Sequence, residues 1–447
     1  MTLENIEKKI KKNIYGKPQT VKVIFPPGFG SVALDEVQFI LENLWFQQKF
    51  TSELSLLDNE IRIDNIHLFA VTELLMRSQC ISDIRLVIFE GKAAGKFTFE
   101  KKCREIPWDF YLNKSMSLKI KVDSVASHAF HETGLKEILA EVVADYAREI
   151  VSGENTRETT GLYANLYNDY LTVSISLAGN PLYKRGYRGT LSASAPLRED
   201  AAACCMQTAL QFSRQVKEDF LPDTLVIPFS GTGTFAFEYL QYCFQFSPVL
   251  FGRDYALQSM PLFRPDNFNY LLKKAKENCY FPVDPADSSP HFYCIDHAAN
   301  ANTALADNLK IVKNAISHNG FDFPEALFAG GKADEPFIHE DFLAMDMATL
   351  LAGQDKMTGD VFIPLNPPYG VRLGNNQDSV ALYNQIAAKL NEISSLIKKE
   401  NKHMLGFILC PNVETWSAFC KSLSGAKIET CHFTQGGMDI RVCQFFV

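Results

Sequence analysis

Residues 366–370 read Asn366-Pro367-Pro368-Tyr369-Gly370 and close the apolar run Asp360 to Leu365. An Asn-Pro-Pro-Tyr string arises by chance on the order of once in a thousand chains of this length. Its mechanics are legible. Each residue before a proline is pushed to extended geometry and neither proline offers an N–H, so the segment is a stiff loop with outward carbonyls. The Asn366 side-chain oxygen and the Pro367 carbonyl can accept the two hydrogens of a planar amine, with Tyr369 stacking on the ring that bears it.

Working outward, three earlier apolar runs also end in loops that carry chemistry. Thr224 to Phe229 leads into Ser230-Gly231-Thr232-Gly233-Thr234 and directly into an apolar helix, Phe235 to Tyr242. Glycines there allow a tight turn and close backbone approach, while the helix start offers unpaired N–H groups. A Gly-x-Gly by itself also fits an ordinary strand-to-helix turn. The run His291 to Ile295 ends at Asp296, whose carboxylate can accept from the two hydroxyls of a ribose. Pro336 to His339 ends near Asp341. Either aspartate alone is also a common helix N-cap. Their shared placement at successive strand ends is what points to a ligand, because open parallel sheets bind at their carboxyl edge.

Three further strands are expected at Met404 to Leu409, Lys427 to Phe433 and Ile440 to Phe446, with helices at Ser379 to Lys399 and Val413 to Ser422. The pattern predicts seven strands in a sheet covered on both faces. Gln245 to Pro290, rich in Phe and Pro, fits neither period and is expected to pack on that sheet as an excursion.

Before residue 190 the pattern is α+β in miniature. A basic amphipathic stretch, Asn5 to Tyr15, precedes strand Val21 to Phe25, a Pro26 to Gly28 turn and helix Val32 to Leu44. Then follow Glu60 to Ile63, helix Ile66 to Met76, strands Asp83 to Glu90 and Ser117 to Val122, and helix Gly134 to Ile150. Leu162 to Leu166 and Tyr170 to Leu177 form a hairpin through Asn168-Asp169.

The chain has 447 residues, 47% hydrophobic, and no apolar run approaches the roughly 18 residues of a spanning helix. Its start, Met1 to Gly16, is Lys-rich and lacks a secretory apolar region, so a cytoplasmic protein without membrane contact is expected. Eleven cysteines show no CxxC or His/Cys spacing of a zinc site; reduced thiols and no metal are expected. The net charge of −8 argues against a nucleic-acid partner until it is divided: residues 1–190 carry 24 Lys+Arg against 24 Asp+Glu, the remainder 20 against 28. The acidic excess lies entirely in the second part, leaving the first free to present a basic face. Lys184, Arg185 and Arg188 at the junction fit either an RNA contact or a solvated linker. Lys101, Lys102 and Arg104 form a second cluster, more in keeping with a solvated charged linker than with an RNA contact.

Taken in order, Lys184-Arg185-Gly186-Tyr187-Arg188, Ala195-Pro196-Leu197-Arg198-Glu199, Pro228-Phe229-Ser230-Gly231-Thr232-Gly233-Thr234 and Asn366-Pro367-Pro368-Tyr369-Gly370-Val371-Arg372-Leu373-Gly374 resemble the bacterial THUMP-domain class I S-adenosylmethionine-dependent RNA methyltransferases. The resemblance extends over nearly the whole chain, including Pro27-Gly28-Phe29, Asp64 to Arg77 and Ile106-Pro107-Trp108. These enzymes form N2-methylguanosine in ribosomal RNA, relatives act on transfer RNA, and such chains are often labelled adenine-specific DNA methylases.

The resemblance implies a Rossmann-like seven-stranded class I methyltransferase domain at 190–447, preceded by a ferredoxin-like and THUMP region at 1–185 with the THUMP core near 47–178. It implies that Ser230 to Thr234 contact the methionine part of S-adenosylmethionine, that Phe229 also belongs to the cofactor site, and that Asp296 contacts the ribose. Asp341 would then bind its adenine, Pro196 and Leu197 would line the pocket, and Asn366, Pro367, Pro368 and Tyr369 would hold the target base beside the cofactor. Lys184, Arg185 and Arg188 are the candidate RNA contacts. One departure stands out: the family usually has an acidic residue where this chain has Ile227. The expected reaction is methyl transfer to guanine N2 in RNA, ribosomal before transfer RNA. The rival readings are an adenine-N6 DNA methyltransferase and an RNA-binding protein with impaired catalysis.

Overall fold

The structure, a computed structural model, describes residues 3–46, 51–129, 131–151, 159–189, 196–281, 290–328, 336–352, 359–368 and 376–447. The chain divides into two compact units: Met1–Phe25, Ala33–Lys184 and Arg253–Lys274 make the first; Pro26–Val32, Arg185–Gly252 and Ala275–Val447 make the second.

The first unit opens with α1 (Leu3–Ile10), continued by a π-helical turn over Lys11–Tyr15, then β1 (Gln19–Ile24) and the start of α2 (Gly30–Glu42). Strands β2 (Glu53–Leu56) and β3 (Glu60–Ile66), α3 (Leu68–Arg77), β4 (Asp83–Lys92), α4 (Lys96–Glu105), β5 (Ser117–Val125) and α5 (Glu132–Val143) follow, then β6 (Glu149–Ile150), β7 (Thr159–Tyr167) and β8 (Tyr170–Ser176). The strands form a mixed sheet of order β2-β3-β1-β4-β8-β7-β5-β6. Val21, Val23, Ile61, Ile63, Ile84, Leu86, Leu162, Ala164 and Leu166 alternate with polar neighbours and are fully or almost fully buried, as a sheet with one covered face requires. Asn168 and Asp169 take φ of 49° and 59°, the left-handed pair that a two-residue hairpin needs. The helix expected over Gly134 to Ile150 stops at Val143 because Arg148 N–H bonds to the Met116 carbonyl and Glu149–Ile150 pair with β5. Edge strand β2 and helix α4 were not expected from periodicity.

The second unit contains α6 (Glu199–Val216), β9 (Pro222–Pro228), α7 (Thr234–Phe244), the end of α8 (Pro265–Asn278), β10 (His291–Ile295), α9 (Ala299–His318), α10 (Met347–Ala352), β11 (Asp360–Leu365), α11 (Asn376–Lys399), β12 (Met404–Cys410), α12 (Val413–Ser422), β13 (Lys427–Gln435) and β14 (Met438–Phe446). Its sheet runs β10-β9-β11-β12-β14-β13; the first four strands are parallel and β14 is antiparallel to both neighbours. From β9 the chain moves outward to β10 and then returns to the other side of β9 as β11. That reversal is a topological switch point, where a crevice opens at the carboxyl edge. Strands β11 and β12 are buried at every residue, and Tyr383, Ile386, Leu390, Ile393 and Ile397 on one face of α11 pack over them.

Two expectations change. Among the described residues no strand forms over Pro336 to His339; Ile338 alone bridges in parallel to Ile295, in the seventh strand's place, because Pro336 has no N–H to donate and the chain turns at once into Asp341. The excursion 245–290 does not all pack on the parallel sheet, since 253–274 belongs to the first unit, where Leu257 N–H bonds to the Leu177 carbonyl. Conversely, Pro26–Val32 belongs to the second, where Thr434 of edge strand β13 donates to the Pro27 carbonyl at 3.1 Å and Phe29 packs on Phe433. No helix of the described residues is long and apolar enough to cross a membrane.

Candidate active site

The loops after β9 and β11 flank the switch point. Phe229, Gly231 and Gly233 adopt φ of 56°, 54° and 82°, so the turn between β9 and α7 is built from left-handed residues. At Gly233 a Cβ would lie 2.8 Å from the Phe237 ring, so space as well as φ demands glycine. The second strand end holds the turn: Ser230 N–H donates to the Ile295 carbonyl at 3.0 Å and Gly231 N–H to Asp296 Oδ2 at 3.0 Å. From α9, Asn308 Nδ2 donates to the Thr232 carbonyl at 3.0 Å.

Asp296 also accepts from Ala298 N–H at 2.9 Å through Oδ1. A carboxylate offers about four acceptor sites. Two are used, and the half-buried group keeps capacity for ligand hydroxyls. Asp341, on the same edge, is exposed; its Oδ1 accepts from Leu343 N–H at 3.0 Å, and the neighbouring Phe342 ring meets Phe229 edge-on at 6.1 Å. The segment that follows the Ile338 bridge therefore lies beside the glycine turn.

Asn366 and Pro368 are half-buried and Pro367 is buried at the end of β11. Asn366 Oδ1 is shielded from solvent and has no protein partner; the same holds for Ser230 Oγ on the adjacent loop and Asn302 Oδ1 at the start of α9. Buried acceptors are rarely left unmatched, and a group of them around a strand-edge crevice fits a polar ligand. Tyr369 lies outside the described residues.

The junction residues behave differently from their expected role. Arg185 is completely buried against Glu238, which also accepts from Tyr187 Oη at 2.9 Å; an enclosed guanidinium cannot reach RNA. Arg188 turns inward too: its Nε pairs with Glu199 at 2.6 Å, and its Nη2 donates to the Leu197 carbonyl at 2.5 Å and to Thr234 Oγ1 at 3.2 Å. It ties the Pro196-Leu197 segment to the first residue of α7. Leu197 is buried and Pro196 half-buried at that tie. Burial pushes the Glu199 carboxyl up to about 7, against the pull of Arg188. Lys184 stays exposed and belongs to the first unit. Ile227 is wholly buried within β9, an apolar position in an apolar sheet.

Sequence reasoning missed Asn302, Asn308 and the inward role of Arg188. The two asparagines sit at i and i+6 in an ordinary amphipathic helix and carry no motif. The Lys102–Glu105 and Arg104–Glu100 pairs show the 101–104 cluster serving its own helix.

A parallel sheet reversed after its first strand, a glycine turn held by the second strand's aspartate and an antiparallel β14 define the class I methyltransferase fold. No family model matches the chain. It is 24% identical over 325 residues to the ribosomal RNA large subunit methyltransferase K/L of Legionella pneumophila strain Corby, covering 72% of this chain and 41% of that protein. The chain thus spans less than half the length of that curated relative. Among solved structures it resembles SMU.472, named provisionally as a methyltransferase and complexed with SAH, with TM-score 0.69 at 16% identity over 96% of this chain and 98% of that one. It also resembles a predicted N6-adenine-specific DNA methylase from Listeria monocytogenes, with TM-score 0.67 at 14% identity over 99% and 98%.

Proposed function

We propose that this chain transfers a methyl group from S-adenosylmethionine to the exocyclic N2 amine of a guanosine in RNA, with ribosomal RNA as the first substrate to test. The observation that carries the reading is the unmatched, buried Asn366 oxygen beside the switch point, in a proline-stiffened loop next to the glycine turn. The relative named as a ribosomal RNA methyltransferase and the SAH complex of SMU.472 support the substrate and the cofactor.

The bound cofactor supplies an electrophilic methyl on a sulfonium. Asp296 has acceptor capacity for its ribose, Asp341 for its adenine amine, and Ser230 Oγ sits in the turn that would face its methionine part. Asn366 Oδ1 and the Pro367 carbonyl take the two hydrogens of the target amine, which localises the nitrogen lone pair and aims it. The base must leave its stack to reach them, at a cost of roughly a few kcal/mol that remote RNA contacts offset. Tyr369 completes the base pocket in this reading.

The first unit, read as ferredoxin-like and THUMP, supplies those contacts. Cross-strand partners Val125, Tyr167, Tyr170 and Lys92 form one exposed row at the end of its sheet, two stacking rings beside a cation. A cytoplasmic location accompanies a ribosomal RNA substrate.

The test uses labelled S-adenosylmethionine and ribosomal RNA from a strain lacking this gene, followed by nucleoside mass spectrometry. The expected product is N2-methylguanosine. Label at adenine N6, or on DNA alone, would overturn the substrate, and loss of all cofactor binding would favour the non-catalytic reading.

A further inference from the structure

None of the eleven cysteines is in a disulfide, and most are enclosed in the cores as small apolar groups. Cys420 and Cys443 are an exception. Cys420 lies in the last turn of α12, half-exposed; Cys443 lies fully buried in the middle of β14, paired with Ile408 of β12 and Thr430 of β13. Their sulfurs are 3.4 Å apart, 23 residues separated in sequence. A disulfide needs roughly 2.05 Å between sulfurs, so the pair has only to close from its 3.4 Å separation.

From this geometry we infer that Cys420 and Cys443 are a redox-active dithiol, a modification site at which a peroxide closes a disulfide between α12 and β14. The hydrogen bond from Cys443 lowers the Cys420 thiol below its usual range, whereas burial holds Cys103, Cys243 and Cys279 up at about 12. The exposed partner is thus the nucleophile. Cys420 thiolate attacks one peroxide oxygen, the O–O bond breaks, and a sulfenic acid forms with release of water. Cys443 then attacks the sulfenic sulfur, the S–S bond forms and a second water leaves. Two thiols and one peroxide become one disulfide and two waters; sulfur is oxidised and peroxide oxygen reduced. None of this depends on the proposed methyl transfer.

The test treats the full reduced chain with hydrogen peroxide, alkylates remaining thiols under denaturing conditions and digests with trypsin. The expected result is a peptide 403–421 joined to 442–447, reversed by dithiothreitol, with two fewer alkylated cysteines. Because 403–421 also contains Cys410, Cys410→Ser should keep the link and Cys420→Ser should abolish it. The half-exposed position of Cys420 leaves that variant folded, which its melting curve verifies. Full alkylation of both thiols after peroxide, or a link that survives Cys420→Ser, would overturn the inference.

Discussion

At the residue scale, the side chains that matter are those with too few partners and those with unexpectedly many. Asn366 has too few. Replacing it with Ala should lower kcat by about 10²- to 10³-fold, the usual effect of removing one positioned polar group, while cofactor affinity stays within a few-fold by calorimetry. Arg188 has many. Arg188→Met should weaken cofactor binding because the Pro196-Leu197 segment loses its tie to α7, and should leave the salt dependence of RNA binding unchanged; a shallower salt slope would restore Arg188 as a phosphate contact. Glu199 supplies a pH signature. Its pKa is raised on folding, so the folded state binds the extra proton, and stability falls as pH rises from about 4.5 to about 7 and is flat beyond. Glu199→Gln should remove that slope, read as denaturation midpoints at pH 5 and pH 8. The strand-end loops were legible at this scale because turn chemistry is local. The burial of Arg185 was not, since a Lys-Arg-Gly-Tyr-Arg string has the same charge whether it faces water or Glu238.

At the element scale, His291–Ile295, Asp360–Leu365 and Val413–Ser422 have the same ends in sequence and structure. Each is bounded by local punctuation: Pro290 before the first, Gly359 and Asn366-Pro367 around the second, and Asn412 capping the third by accepting from Thr415 N–H at 2.9 Å. Elements whose ends are set by distant partners were misjudged, as with α5, curtailed by pairing to β5, and the single bridge at Ile338. Strand β12 holds a further such constraint. A Cβ at Gly406 would lie 2.1 Å from the Phe445 ring of β14, so Gly406→Ala should destabilise the second unit by about 1–3 kcal/mol, with partial recovery in Gly406→Ala/Phe445→Leu. The hairpin row predicts that Tyr167→Ala/Tyr170→Ala weakens RNA affinity about tenfold or more in a filter-binding assay, by roughly 1–3 kcal/mol per lost stacking partner, while cofactor affinity holds.

At the scale of the whole molecule, the two compact units exchange at Lys184–Arg185 but are not consecutive blocks. The chain enters the second unit early, at 26–32, and returns to the first at 253–274. Each passage is set by contacts that composition does not record, the Thr434 N–H to the Pro27 carbonyl for the first and the Leu257 N–H to the Leu177 carbonyl for the second. A fragment covering 190–447 alone would lack Pro27 and Phe29, leaving the edge of β13 and the Phe433 ring uncovered; it should form larger species than the full chain in size-exclusion chromatography. Interlacing also has a consequence in time. On the ribosome, residues 1–184 emerge long before 253–274, and at about 5–20 residues per second the delay is on the order of 5–20 s. Throughout that interval the first unit waits, nearly whole, for the helix that finishes it, so nascent chains should recruit holdase chaperones before residue 274 is made.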